Sequence, residues 1–486
     1  MTSPVLTKRD YLAGAQCHRL LWWQRHEPDA TELQPDQVLR DLFDQGRQVG
    51  ALAQQRFPGG VLIAPGSREE RAQRTAEAIA AGATVLFEAS FMADGLFVAC
   101  DILVREGDGW RLIEVKSTTS QKDEHIHDVA VQAHVLACNG LTVHATEVMH
   151  LNKEFRHPDD GDLLGRTDAS REVADRVEHV GPAVGRMLRV LDGDLPEVAI
   201  GEHCGEPREC AFYARCWPDD PWHISNLYNV GPKRAATFMG AGVHSIRDLG
   251  EKDKKSFTVR RQVRSMTLDQ RIVEPTLGMA LAVLDVERLG FLDFETISRA
   301  VPVWHGMAPW GMAAAQFSYH ESLPGGGYRH VEHLAEGPQD ARPLIAERLV
   351  DATRDADRVV TYSAFEKTRI RELAKVVPSL EAELHALEEK LVDLLPIVRD
   401  NVYDPKFRGS FSLKYVLPAL VPELTYDDLV IVNGMVASVE IARLLFVADR
   451  VPAEEKERVR KDLLAYCERD TWGMVRLVEE LRAMRR

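Results

Sequence analysis

The sequence predicts a multidomain α/β protein, and three observations lead there. At 486 residues the chain exceeds what one hydrophobic core organises and suggests about three units of roughly 150 residues each. Its 45% hydrophobic and 28% charged residues are ordinary globular values that argue against wholesale disorder. Apolar patterns of period 2 and period 3.6 alternate along it, which puts strands and helices in the same units.

Residues 1–220 read as one mixed α/β unit. Helical periodicity runs near 34–56 and 69–81, strands fall near 84–116, a helix at 128–138, a strand at 141–151 and a helix at 168–192. A tail carrying Cys204, Cys210 and Cys216 closes the unit, and Trp217-Pro218-Asp219-Asp220-Pro221 has the composition of a linker. Residues 221–285 read as a small helical bridge. Residues 286–486 give strand, strand, helix and strand, then a long charged helix. No internal repeat or low-complexity tract interrupts this order.

Charge and composition narrow the function classes. A net charge of −15 argues against coating nucleic acid by bulk attraction, which works through many Lys and Arg contacts. Local binding at a metal site remains open, because bound divalent ions offset carboxylates where phosphate docks. No run of 18 apolar residues exists, so no membrane partner is expected. The opening Met1 to Asp10 has neither an apolar stretch nor a small-residue cleavage site, so a cytoplasmic location is expected. Seven cysteines, an odd number, in a chain this long do not form a disulfide framework. Lone Cys100, Cys138 and Cys467 read as small buried hydrophobes.

The densest chemistry lies in Phe291-Leu292-Asp293-Phe294-Glu295-Thr296 and Tyr466-Cys467-Glu468-Arg469-Asp470. In a strand, Asp293 and Glu295 point the same way while Leu292 and Phe294 pack behind. On a helix, Tyr466 and Asp470 share a face beside a buried stripe of Val459, Leu463, Cys467, Met474, Leu477 and Leu481. Hard oxygen ligands at that density suit Mg²⁺ or Mn²⁺.

A second acidic pair sits on a hairpin. Leu96 to Val104 and Trp110 to Lys116 are strand-like, and Glu106-Gly107-Asp108-Gly109 between them is a tight turn. With Gly107-Asp108 as the turn, Asp101 falls across from Glu114, and Lys116 lies on the same face. Opposed like charges destabilise a sheet unless a cation sits between them, so a metal explains the pair better than packing does. Downstream, Asp128 and Gln132 share one helix face.

Asp101, Glu114-Val115-Lys116 and Gln132 together resemble the PD-(D/E)xK nucleases of the RecB type. The resemblance implies a restriction-endonuclease-like mixed sheet and Asp101 and Glu114 as metal ligands. It also implies Lys116 orienting or activating the attacking water, Gln132 as the downstream glutamine and Glu88 as an upstream acidic ligand. Leu136 stands where an aromatic is usual, and the family's upstream histidine has no counterpart near Gly46 to Gly50.

Cys204-x5-Cys210-x5-Cys216 with the distant Cys17 offers four thiolates, a set that suits Zn²⁺ or an iron–sulfur cluster. One cysteine before the nuclease core and three after it resembles the iron–sulfur RecB-like exonucleases. That likeness implies a structural [4Fe–4S] cluster pinning the ends of the unit together. The usual Cys-x2-Cys pair is absent, and zinc stays open.

Leu227 to Ala236 followed by Gly242 to Leu249 resembles a helix-hairpin-helix, with Val230-Gly231-Pro232 as the hairpin and amides plus Lys233 and Arg234 for phosphate. The plain alternative is an αα-hairpin spacer.

Asp293-x-Glu295 with Tyr466-x-x-x-Asp470 resembles the DnaQ-like, ribonuclease H-fold exonucleases of the DEDDy type. The resemblance implies Glu366, where aspartate is usual, as the middle ligand, with Asp393 in reserve and Ser412-Leu413-Lys414 as a supporting segment. It implies two divalent ions held by Asp293, Glu295, Glu366 and Asp470, with Tyr466 positioning the water. Both resemblances imply a metal-dependent nuclease with two centres, acting on single-stranded DNA or DNA ends in repair or processing. No P-loop is present, so helicase activity calls for a partner. Two alternatives stand beside this: a nucleic-acid-end-binding scaffold with one or both centres inactive, and an RNA-processing nuclease.

Overall fold

The computed structural model describes residues 5–158 and 160–485. Of the opening stretch read for a leader, Met1 to Pro4 lie outside them. The chain is a mixed α/β protein that divides into two compact units. One comprises Met1–Pro218, Arg299–Val303 and Ala308–Trp310; the other comprises Asp219–Ser298, Trp304–Met307 and Gly311–Arg486. Among the described residues, no helix is long and apolar enough to cross a membrane.

The first unit is built on a mixed sheet. Its path runs Val61–Leu62, Val85–Ala93, Leu96–Glu106, Gly109–Lys116, Val143–Leu151 and Leu164–Asp168, with Leu6–Thr7 pairing in parallel to Leu96 and Phe97. The central hairpin keeps the expected register, from Glu106↔Gly109 to Ile102↔Ile113. Gly107, at φ +61°, supplies the left-handed turn conformation that a two-residue loop needs. Helices Asp123–Cys138 and Ser170–Asp192 share one core with the sheet, burying Val129, Val135, Val180 and Met187 together with Leu86, Val98 and Leu112.

In the second unit the sheet order is Tyr328–Leu334, Met312–Ser322, Leu289–Ser298, Arg358–Thr361, Leu391–Asp393. The first three strands are antiparallel and the last two run parallel to Leu289–Ser298. Alternation along Leu289–Ser298 sends Leu292 and Phe294 into a core with Phe317, Tyr319, Ile345 and Leu373. Asp293 and Glu295 therefore face the other side. There the helix Ala453–Ala483 packs, burying the expected stripe from Val459 to Leu481.

Three local expectations need correction. Residues 221–285 belong to the second unit, and only one helix of the proposed helix-hairpin-helix forms, Pro232–Gly240. Before it stands a single 3₁₀ turn, Ile224–Asn226, because Pro221 and a left-handed Asn229, φ +59°, leave too few residues for an α-helix. After it, Ile246–Asp248 is again a 3₁₀ turn. Cys138 is exposed at the end of its helix, where the buried face has run out.

One glycine in this unit is required by close approach. Gly409 has φ +78°, and a Cβ there falls 2.0 Å from the Asn226 carbonyl oxygen. Gly409→Ala is expected to cost about 3 kcal/mol, from backbone strain plus displacement of that segment. Urea unfolding of the variant checks this, and an unchanged midpoint contradicts it.

Candidate active sites

The hairpin gathers a buried ionic cluster in the first unit. Asp101 lies one residue beyond the last ladder pair, and its Oδ2 accepts the Val115 N–H at 2.7 Å. The strand amide is thereby satisfied by a side chain as the strands part. Glu114, 1% exposed, accepts from Lys8 Nζ at 2.9 Å and Lys116 Nζ at 2.7 Å on one oxygen, and from Gln132 Nε2 at 2.7 Å on the other. Asp128 accepts from Lys116 at 2.5 Å and pairs with Lys8 at 3.1 Å. Asp101, Glu114, Lys116 and Gln132 are thus together.

Glu88 is not with them. It occupies the register position beside Asp101, where the ladder between its strand and the next is skipped. Its backbone is left-handed, φ +58°, which breaks the alternation that sent it inward. Its carboxylate pairs with Arg71 at 3.3 Å instead.

Burial and the charge of Glu114 push the Asp101 carboxyl up to about 7. Asp128 is raised by the same two causes. Burial also acts to raise Glu114, but Lys116 and Lys8 outweigh it and hold the carboxyl below its ordinary range. For Lys116 the order is similar: burial opposes the charge, and Glu114 and Asp128 win and raise it. Gln132 is fully buried, and its Oε1 has no hydrogen-bond partner. An orphaned buried carbonyl beside two carboxylates is what a hydrated cation or a water would satisfy.

The second cluster gathers carboxylates from three elements. Asp293 and Glu295 come from the strand Leu289–Ser298, and Asp470 from the helix Ala453–Ala483. One oxygen of each lies within 4.8 Å of the other two. Glu366 comes from the first turn of Phe365–Val376 and is buried, and its Oε2 has no partner. Burial and Asp470 push Glu295 up to about 8; burial, with Asp393 and Asp470 adding, does the same for Glu366. Asp293 is raised well above its range by burial and then by Asp470, Glu295 and Glu366. Asp470 reaches about 6, raised by burial against the opposing hydrogen bond from Tyr426.

Arg469 acts on Asp470 and Arg369 on Glu366. Lys414 is the cation that acts on both Asp470 and Glu295, and its Nζ stands 5.9 Å from the Tyr466 ring centroid. Tyr466 is buried, its hydroxyl bonds to Asp470, and burial and that carboxylate push it well up. Tyr426 also donates to Asp470 Oδ1. Cys467 is buried as expected, yet its thiol donates to Asp293 Oδ2 at 3.3 Å. Asp393 caps the helix Leu394–Asn401 through Leu395 N. Four carboxylates, Glu295 and Glu366 buried and Asp293 and Asp470 half-buried, with burial and neighbouring charge raising the first three, fit one or two divalent cations, which remove the repulsion that protonation otherwise relieves.

The four thiols of Cys17, Cys204, Cys210 and Cys216 line one cavity with Trp23, Phe212 and Tyr213. Burial comes first and the other three thiols follow in raising Cys210, which reaches about 11. Arg19 NH1 donates to Cys216 Sγ at 3.7 Å. Among the described residues the thiols are not in the groups whose ligand atoms come within 4.8 Å of one another. A single zinc ion at about 2.3 Å from each sulfur draws them to about 3.8 Å apart.

Sequence reasoning missed Lys8 and Tyr426. Lys8 opens the helix Lys8–Gln16, capped by Thr7, and the Leu6–Thr7 strand beside Leu96 and Phe97 delivers it to Glu114. Tyr426 lies in a loop and carries no periodic signal.

A family model described as a domain of unknown function, DUF2779, matches residues 290–412, a stretch holding Asp293, Glu295 and Glu366 but ending before Tyr466. No curated protein matches the chain. Among solved structures, the family B DNA polymerase of the hyperthermophilic archaeon Pyrobaculum calidifontis is 17% identical over 40% of this chain and 24% of its own, with a TM-score of 0.26. SSO0001 is 12% identical over 44% of this chain and 87% of its own, with a TM-score of 0.21. At these scores neither match defines a shared fold.

Proposed function

We propose that the protein is a metal-dependent nuclease with two centres: a DnaQ-like exonuclease centre at Asp293, Glu295, Glu366 and Asp470, and a RecB-like PD-(D/E)xK centre at Asp101, Glu114 and Lys116. The observation that carries this reading is the convergence of Asp293, Glu295 and Asp470 from separated segments into one cluster, where burial and then neighbouring carboxylates raise the proton affinity of Asp293 and Glu295. Such an arrangement costs stability in a metal-free fold and is explained by a ligand cation.

Mg²⁺ or Mn²⁺, when bound, supplies Lewis-acid activation of water and stabilises charge on the leaving oxygen. The chain's residues do the rest. Asp293, Glu295, Glu366 and Asp470 would hold the ions. The Tyr466 hydroxyl, bonded to Asp470, orients the attacking water, and Tyr426 fixes the Asp470 carboxylate from the other side. In the first unit, Lys116 stays protonated between Glu114 and Asp128. It therefore orients water and steadies phosphate charge, while Asp101 and Glu114 would hold the ion. DNA is the substrate favoured by the resemblances, as single strands or ends, with a helicase partner supplying unwinding.

Titrating Mg²⁺ or Mn²⁺ against end-labelled DNA and RNA strands tests this. Shortened DNA products are expected; binding without fragments would establish the scaffold, and a preference for RNA the processing enzyme. We assign the four-thiol site, whose cysteines line one cavity, a [4Fe–4S] cluster, with zinc as the alternative that the same four thiolates could hold. Anaerobic purification is expected to give a brown protein that Cys210→Ser bleaches, checked by its visible spectrum. A colourless protein with one equivalent of zinc contradicts the cluster.

A further inference from the structure

A second ligand set lies in the same unit and takes no part in the chemistry above. His320 on Met312–Ser322 pairs with His330 on Tyr328–Leu334, and their rings stack at 4.3 Å. Glu468, from the helix Ala453–Ala483, places Oε1 3.9 Å from His330 Nδ1. One ring nitrogen of each histidine and a Glu468 oxygen lie within 4.8 Å of one another.

A chain of hydroxyls sets both imidazoles. Thr471 Oγ1 donates to the Glu468 carbonyl at 3.0 Å. In the arrangement that commits its proton there, it accepts from Ser318 Oγ at 2.8 Å and from His320 Nδ1 at 2.9 Å. Ser318, having donated, then accepts from His330 Nε2 at 2.9 Å. Each ring therefore carries its proton toward a hydroxyl and keeps a lone pair on its other nitrogen: Nε2 of His320 and Nδ1 of His330. A hydrogen bond on the far nitrogen is how proteins orient a metal-binding histidine and fix its tautomer. His320 is 5% exposed with Trp472 against it at 5.4 Å, a setting that disfavours its charged form.

We propose that His320, His330 and Glu468 bind a divalent transition-metal ion of the Zn²⁺ class, separately from the carboxylate cluster. Two imidazoles and one carboxylate select borderline ions over Mg²⁺, which keeps to oxygen, and three protein ligands leave a position for water. Closing the ligands to about 3.3 Å, the spacing around a tetrahedral ion, turns His330 out of its near-parallel stack on His320 and swings the Glu468 side chain. His330 is on the edge strand and the Glu468 side chain is 50% exposed; buried His320 is the anchor. Glu468 stands on the turn between Tyr466 and Asp470, so occupancy ties two strands to the helix that carries them. The proposal does not rest on nuclease activity.

The test is Ni²⁺ binding to the full chain in excess Mg²⁺, read by tryptophan fluorescence, with Zn²⁺ stoichiometry by calorimetry. Trp472 is close enough to His320 to be quenched by a bound Ni²⁺ ion. The expected result is saturable quenching that Trp472→Phe removes and that His330→Ala and Glu468→Gln weaken at least tenfold, with one Zn²⁺ per chain lost. Thiol-bound metal contributes equally to all four proteins and cancels. If His330→Ala unfolds, the half-exposed Glu468→Gln decides. Identical quenching and stoichiometry in wild type and Glu468→Gln would overturn the site.

Discussion

Asp293→Asn is expected to reduce metal-dependent cleavage by the second unit about 10³-fold or more, and to make the metal-free protein more stable. The first effect follows from losing several kcal/mol of charge stabilisation at the scissile phosphate, with each 1.4 kcal/mol about tenfold in rate. The second follows from the cluster itself. Asp293 is raised by burial, Asp470, Glu295 and Glu366, so the fold is strained by carboxylates it must keep protonated or unpaired. A group whose folded-state affinity for protons is raised contributes stability below its unfolded pKa and loses it as pH climbs through the folded value. The stability gap between Asp293→Asn and wild type therefore opens as pH rises from about 4 through neutrality. A gain of about 1 kcal/mol corresponds to roughly 2–4 °C for a unit this large. Thermal scans with and without Mg²⁺ check it. Added Mg²⁺ stabilises wild type more than the variant, and a variant less stable than metal-free wild type at pH 8 would contradict the account.

Glu114→Gln is expected to act in the opposite direction and destabilise the first unit by about 3 kcal/mol. Glu114 is the shared anion of Lys8 and Lys116 and the acceptor of Gln132. Neutralising it leaves two half-buried ammonium groups with less compensation than they have now. Its folded-state carboxyl lies below the ordinary range, so its contribution is present above about pH 4.5 and lost as pH falls further. The same change lets Asp101 fall from about 7 toward ordinary values, because Glu114 is second only to burial in raising it. Urea unfolding at pH 7 and pH 4 checks the sign. Equal midpoints for variant and wild type at pH 7 would show that the lysines are satisfied without Glu114.

These two clusters illustrate what a sequence reveals and what it conceals. Asp101 and Glu114 were legible because a two-residue turn fixes register over a whole hairpin, and the ladder runs in that register up to Ile102↔Ile113. Asp293 and Glu295 were legible because strand alternation sorts them from Leu292 and Phe294. Tyr466 and Asp470 were legible from helical spacing. Lys8 was not, since it reaches Glu114 across 106 residues through a two-residue strand and a helix cap. Tyr426 and the His320–His330–Glu468 group depend on tertiary packing in the same way. Glu88 misled because alternation assumes regular backbone, and a left-handed residue breaks it.

The central claim is that two acidic clusters sever phosphodiesters with the help of divalent ions. The most direct measurement is cleavage of end-labelled single-stranded DNA, in Mg²⁺ or Mn²⁺, by wild type, Asp101→Ala, Asp293→Ala and the double variant, with folding checked by circular dichroism. The account predicts products from wild type, altered product patterns from each single variant and none from the folded double variant. Cleavage by the double variant at the wild-type rate would contradict it.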